Sequence, residues 1–403
     1  MKTMKTAAMQ SVLSGLVLTW ANFQAAAAVL RVSTQYPTIQ AAVNAAASGD
    51  EIRIAAGTYT EQVMITSKNL KLVGEPGAVL KAFPGMTGVI LPHDPDDPRP
   101  RALLLGIVYC DCVSVRGLTL DGGRLGDVCS FLAGAIFHGS GGSVESCTFR
   151  GFRGESGLSP GFGLGAGNFD ILNRPLQDFS VLQNVFEDNT ESLVLTAFIS
   201  SDPHPEPLRV RFQVERNLIR GFGPSGTAAQ TGIVIRPGAG GEVKQNLITG
   251  HDYTGPDLRF SFGIDAQGFG EPLLPIRYVE NVFQDNQVHL LSLFSSGAQV
   301  AANTFEGPGT GAFNIGIASS GSADRIIANR FRNLTSGVIL AGNDPIFGTT
   351  LGIASDATLI GNRFCEVSTP ILVEPLVTGV QEHGTRLDDC SNPDETDGDS
   401  DQD

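Results

Sequence analysis

Asn281-Val282-Phe283, Asn303-Thr304-Phe305, Asn329-Arg330-Phe331 and Asn362-Arg363-Phe364 are one phrase repeated: asparagine, any residue, then a large apolar residue. The phrase also occurs upstream as Asn184-Val185-Phe186, Asn217-Leu218-Ile219 and Asn246-Leu247-Ile248. Cys147-Thr148-Phe149 stands in the same frame, and Leu118-Thr119-Leu120 one step before it. Successive frames lie between 22 and 37 residues apart, a period that marks a stacked repeat whose units differ in loop length. Between two phrases the chain reads as short strands. Gly232-Ile233-Val234-Ile235-Arg236 alternates with Ile233 and Ile235 inward, Glu242-Val243-Lys244 is a second strand, Asn246 turns a corner, and Ile248 opens the third. Asparagine suits a corner because it tolerates the left-handed backbone and its amide can bond the asparagine one coil away. The expected fold is an all-β, right-handed parallel β-helix solenoid with three short strands per coil. Its apolar seam is Phe149, Phe186, Ile219, Ile248, Phe283, Phe305, Phe331 and Phe364.

An open solenoid end exposes core and strand edges, so a lid is expected at the start. Thr38 to Ala47 places Ile39, Ala42, Val43 and Ala46 on one helical face and ends at Ser48-Gly49, as a capping helix should. Upstream of it, Lys2 and Lys5, the apolar run Val12 to Trp20, and Ala25 to Ala28 form the pattern of a secretory leader. The domain reading is therefore 1–28 signal peptide, 29–375 β-helix and 376–403 acidic tail, with a secreted, periplasmic or cell-surface location. The apolar run is shorter than the roughly 20 residues a bilayer span needs. A net charge of −15 argues against nucleic acid, which needs a basic surface. It also disfavours polyanionic glycans unless cations bridge them. The single Trp is Trp20, inside the leader, so the mature chain has few flat platforms for sugars.

Six cysteines, at 110, 112, 129, 147, 365 and 390, suit an exported protein, and fifteen pairings are open. Cys365 with Cys390 is the preferred pair, because it would clip the C-terminal segment onto the last coil. The others read as buried apolar groups or as one or two further bridges.

The segments Tyr36 to Val43, Gly49 to Ile54, Gly57 to Glu61 and Asn69 to Glu75 are together similar to the opening of pectinesterases. The chain resembles the right-handed parallel β-helix proteins of the pectin-lyase-like superfamily over residues 30 to 375. The resemblance implies the fold and leaves the chemistry undetermined, since lyases, hydrolases, esterases, epimerases and binding proteins share it. Pectinesterase and polygalacturonase motifs do not carry over: Gly126-Asp127-Val128 runs into Cys129, and Gly250-His251 into Asp252.

The resemblance also implies that the outer face of the first strand of each coil is where chemistry would sit. The outward pairs are read as Ile136/His138, Val194/Thr196, Val234/Arg236, Asp265/Gln267, Ser292/Phe294, Gly316/Ala318 and Ile339/Ala341. This gathers the polar residues into a stripe, with Asp265, Arg236 and His138 as candidate catalytic residues and Thr196 and Gln267 as substrate contacts. A carboxylate beside a cation can serve proton transfer and charge stabilisation. The same pair also reads as an ordinary cross-strand ion pair on a solvated face. Asp202, His251 and Asp252, in the loops 201–206 and 251–259, are further candidate substrate contacts. Asp397, Asp399 and Asp401 alternate in the acidic tail, resemble the opening of a thrombospondin type 3 repeat and are candidate Ca²⁺ ligands. Their spacing lacks the Gly and Glu positions of an EF-hand loop, so a disordered acidic tail is the alternative. Two functions follow: a secreted protein that binds or acts on an extracellular polysaccharide, as a lyase, hydrolase or epimerase if an enzyme, or a non-catalytic surface or matrix rod.

Overall fold

The computed structural model describes residues 26–89, 91, 100–129, 131–154, 156, 161–168, 177–197, 210–257, 259–268, 273–308, 313–342 and 353–387. The leader, the 93–99 and 201–206 segments, Cys390 and the three tail aspartates therefore lie outside the described residues. Every ladder between named strands is parallel, within one sheet of 13 strands and another of 21. One coil runs Thr231–Ile235, Ala239–Lys244, Leu247–Tyr253, then returns at Phe262–Gln267 directly against Thr231–Ile235. That gives three strands per coil in a right-handed parallel β-helix, the hand that parallel crossovers adopt almost without exception. The first and third strands belong to the larger sheet. They merge there because Arg330–Leu340 and Arg363–Val373 pass from third strand to first without a break. Coil pairing continues past residue 375, with Gln381–His383 and Arg386–Leu387 still in register.

The apolar seam is the core. Phe149, Phe186, Ile219, Ile248, Phe283, Phe305, Phe331 and Phe364 are all buried and in register. Because equivalent residues superpose at about 4.8 Å per coil, the rings stack almost in parallel. Centroids are 4.8 Å apart for Phe283–Phe305 and 4.7 Å for Phe331–Phe364, with planes 10° and 8° apart. Such pairs add about 0.5–1.5 kcal/mol each beyond their area burial.

The asparagines form a second ladder beside this seam. The side-chain amide of Asn217 donates to Asn246 Oδ1 at 2.9 Å, and the pattern repeats at 3.0 Å from Asn281 to Asn303 and 3.1 Å from Asn329 to Asn362. Each Oδ1 also accepts the backbone N–H of the preceding asparagine, as in Asn246 N to Asn281 Oδ1 at 3.0 Å. Each amide reaches back to a carbonyl of the preceding coil, as Asn281 does to Val243 O. The expected left-handed asparagine is corrected here. The positive φ falls one residue earlier, at Gln183, Arg216, Gln245, Glu280, Ala302 and Ala328, and asparagine is kept for its two-way hydrogen bonding. Cys147 ends the ladder. Its thiol sits 3.6 Å from Val115 O and 3.4 Å from Glu145 O, facing the same kind of carbonyls that Asn246 bonds.

The helix Ile39–Ala45 buries Ile39, Ala42 and Val43 over the first coil, as a lid. Thr38 caps it, accepting from Ala41 N at 3.0 Å. The coil beneath completes both ends. Glu61 accepts from Ile39 N and Gln40 N, and Lys68 Nζ donates to the carbonyls of Val43, Asn44 and Ala46. An acid at the N-terminus and a base at the C-terminus both oppose the helix dipole. Cys110, Cys129 and Cys147 are buried thiols and Cys112 an exposed one, so none of the four forms a bridge; Cys365 is disulfide-bonded.

Candidate functional site on the outer face of the first sheet

The outer face of the first sheet divides into three zones. Toward the N-terminus, Leu103, Val108, Ala133, Ile136 and Phe162 form an apolar cluster packed on its edge by Val194. Toward the C-terminus, Phe262, Val288, Leu291, Leu293, Ala318 and Ile339 form a second. Between them lies a polar window. Register places Glu191 beside Thr231 and Val234 beside Asp265, so Glu191, Arg236 and Asp265 come from three consecutive coils.

Within the window, Arg236 Nη2 meets Asp265 Oδ2 at 2.8 Å, while Nη1 donates to Asp265 O at 3.1 Å and Ile235 O at 3.2 Å. Gln267 Nε2 donates to the other carboxylate oxygen at 2.6 Å. Asp265 is only 6% exposed and Gln267 9%, so this is a desolvated network and the solvated-face reading is corrected. Removing one partner of such a pair strands a buried charge. Glu191 completes the window. Burial pushes its carboxyl above the ordinary range and Asp265 adds to the shift, while Arg236 opposes it. One carboxyl disposed to keep its proton and another held in an ion pair are the ingredients of acid–base chemistry.

Two sequence alignments shift. The strand Gly161–Asn168 intervenes between Leu132–His138 and Glu191–Ala197, so His138 pairs with Gly167 and stands two coils from Thr196. It is fully buried with its ring 5.6 Å from that of Tyr109, away from the window. Further along, the outward residues are Leu291 and Leu293 rather than Ser292 and Phe294. Ala318 replaces Gly316 in the Asp265 column. Val288–Leu293 is buried at every position, so alternation there carries no inside–outside signal.

His251 and Asp252 are corrected as well. The strand Leu247–Tyr253 runs through both, and His251 points into the coil, fully buried, with Nδ1 2.8 Å from Asn286 Oδ1. Burial lowers its pKa to about 4, so it is a neutral core residue. Asp252 is half-buried, its carboxyl raised by that burial, and its carbonyl accepts from Gln230 Nε2. No group of three or more metal-ligating side chains occurs among the described residues. No helix among them is long and apolar enough to cross a membrane.

Glu191 is the residue that sequence reading missed. Only two outward positions per strand were read, and Glu191 sits at the first residue of its strand, three positions before Val194.

No family model matches the chain, and no curated protein matches it. Among solved structures it is similar to PfbA, a surface adhesin of Streptococcus pneumoniae, with a TM-score of 0.45 and 12% identity over 86% of both chains. It is similar to the A-module of the mannuronan C-5 epimerase AlgE6 of Azotobacter vinelandii, with a TM-score of 0.41 and 14% identity over 85% of this chain and 94% of that one. A Family 28 exopolygalacturonase of Yersinia enterocolitica gives 0.41 and 13% over 90% and 78%. The parallel β-helix, the architecture of pectin-lyase-like proteins, rests on this chain's own strand order and register.

Proposed function

We propose that the protein is exported and binds an extracellular polysaccharide through the outer face of its first sheet. The observation that carries this reading is the polar window: Glu191, Thr196, Arg236, Asp265 and Gln267 interrupt an outer face that is apolar on both sides. A sugar chain lying across the coils would meet apolar walls for its ring faces and hydrogen-bonding groups for its hydroxyls. The disulfide at Cys365 and the leader-like N-terminus support export, since such bridges persist in oxidising compartments. If the protein turns its ligand over, Glu191 is the group best placed to deliver a proton and Arg236 to stabilise developing charge, in lyase, hydrolase or epimerase chemistry.

A non-catalytic surface or matrix rod is the second reading. One observation favours it: both oxygens of Asp265 already have partners, as in a structural lock. A glycan array and a reducing-sugar assay on the protein, with and without Ca²⁺, separate the two. Binding weakened in Asp265→Asn supports the first. Retained binding in that variant, or no binding to any glycan, refutes it.

A further inference from the structure

A second polar surface lies on the flank of the solenoid, on the outward side of the third strands. There Asp121, Arg150, Glu187 and Arg220 stand in register on successive coils, alternating in charge. They line an open groove of about 630 Å³, closed at one end by Phe222. Arg150 Nη2 pairs with Asp121 at 2.9 Å, and Arg220 approaches Glu187 at 4.0 Å. On the adjoining wall Asp188 takes both Arg124, at 2.7 Å, and Arg153, at 2.6 Å. The Arg153 guanidinium lies 4.6 Å from the Phe222 ring centroid. At the corner the chain turns through Gly151, at φ 71°, where a side chain would strain the backbone and crowd Gly123 N at 3.3 Å.

We propose that this groove is a binding subsite for a short run of neutral sugar residues. The inference rests on the polysaccharide reading above and names the chemistry of the ligand. A sugar hydroxyl donates and accepts at once, so it is matched by guanidinium donors and carboxylate acceptors set side by side. The groove supplies that alternation, with a half-buried aromatic ring at its end and a volume in the range of small-ligand sites. An acidic sugar would face three groove carboxylates, Asp121, Glu187 and Asp188, on a chain of net charge −15. The groove also adjoins the window, because the coil passes from Asp188 to Glu191 in three residues.

The test is calorimetric titration of the full chain with neutral glucan, mannan and xylan oligosaccharides and with uronate oligomers, at low and high NaCl. The inference expects a neutral oligosaccharide to bind with an affinity unchanged by salt. Phe222→Ala and Glu187→Gln should each weaken it about tenfold, and the second variant exchanges a partly exposed side chain without loss of volume. Salt-sensitive binding of uronate oligomers alone would overturn the neutral-ligand assignment. Binding weakened by Asp265→Asn but by neither groove variant would overturn the groove and leave the first-sheet reading standing. Absence of binding to every glycan would overturn both.

Discussion

The corner beside the core seam and the outer face of the first sheet are built from the same coils, yet they follow opposite rules. At the corner every coil repeats one solution: an asparagine that bonds its neighbours on both sides and a ring that stacks on the ring below. On the outer face hardly any position repeats, so that a single column reads Gly165, Val194, Val234, Asp265, Leu291 and Ala318. Repetition serves stability because each rung supports the next, whereas a binding surface needs residues that occur once. The solenoid separates the two by direction, with inward positions periodic and outward ones free to vary.

This contrast can be broken first at the corner. Phe305 stacks against both Phe283 and Phe331, so Phe305→Ala removes two stacked contacts and opens a cavity between coils. Chemical denaturation should show a loss of about 3–5 kcal/mol, typical of a buried Phe truncated to Ala. A loss below about 1 kcal/mol would mean that the seam does not hold the coils together.

The next largest effect is acid sensitivity at His251. Its native pKa is lowered from 6.5 to about 4, so the unfolded chain binds the extra proton between those values. Its contribution is therefore present above the unfolded pKa and lost as pH falls from about 6.5 to 4, by about 3 kcal/mol. Register gives the replacement to use, since Asn286 fills the corresponding position one coil later and bonds a backbone carbonyl with its amide. Measured as the difference from wild type across that pH window, His251→Asn should remove this part of the acid destabilisation. Identical pH profiles would show that the imidazole is not held neutral.

The smallest effect concerns the rung where the asparagine ladder stops. Burial pushes the Cys147 thiol up to about 11, which makes it unreactive, and it serves as a weak donor where its neighbours use an amide. Cys147→Asn should extend the ladder and raise stability by about 1 kcal/mol, read as a higher thermal midpoint. A lower midpoint would show that the cavity fits sulfur and not the amide.

The same contrast explains what was legible in the sequence. The seam, the corner phrase, the inward Ile233 and Ile235 and the capping helix were readable because they recur or alternate with a fixed period. The positive φ before each asparagine was not, because residues as different as Gln245, Glu280 and Ala302 occupy it and none of them signals a left-handed backbone. On the outer face Arg236, Asp265 and Gln267 were found because they are polar within an otherwise apolar pattern. Glu191 was missed at a strand start. His251 was misplaced because a polar residue near a loop reads as exposed, although here it fills an inward position over the core.

The most direct test of the division between a repeating interior and a unique outer face is the glycan affinity of Glu191→Gln. The variant keeps the shape of the window and touches no rung of either ladder, so its thermal midpoint should match wild type while glycan binding falls at least tenfold. Unchanged affinity at an unchanged midpoint would contradict the account and leave the outer face of the first sheet as no more than the wall of a rod.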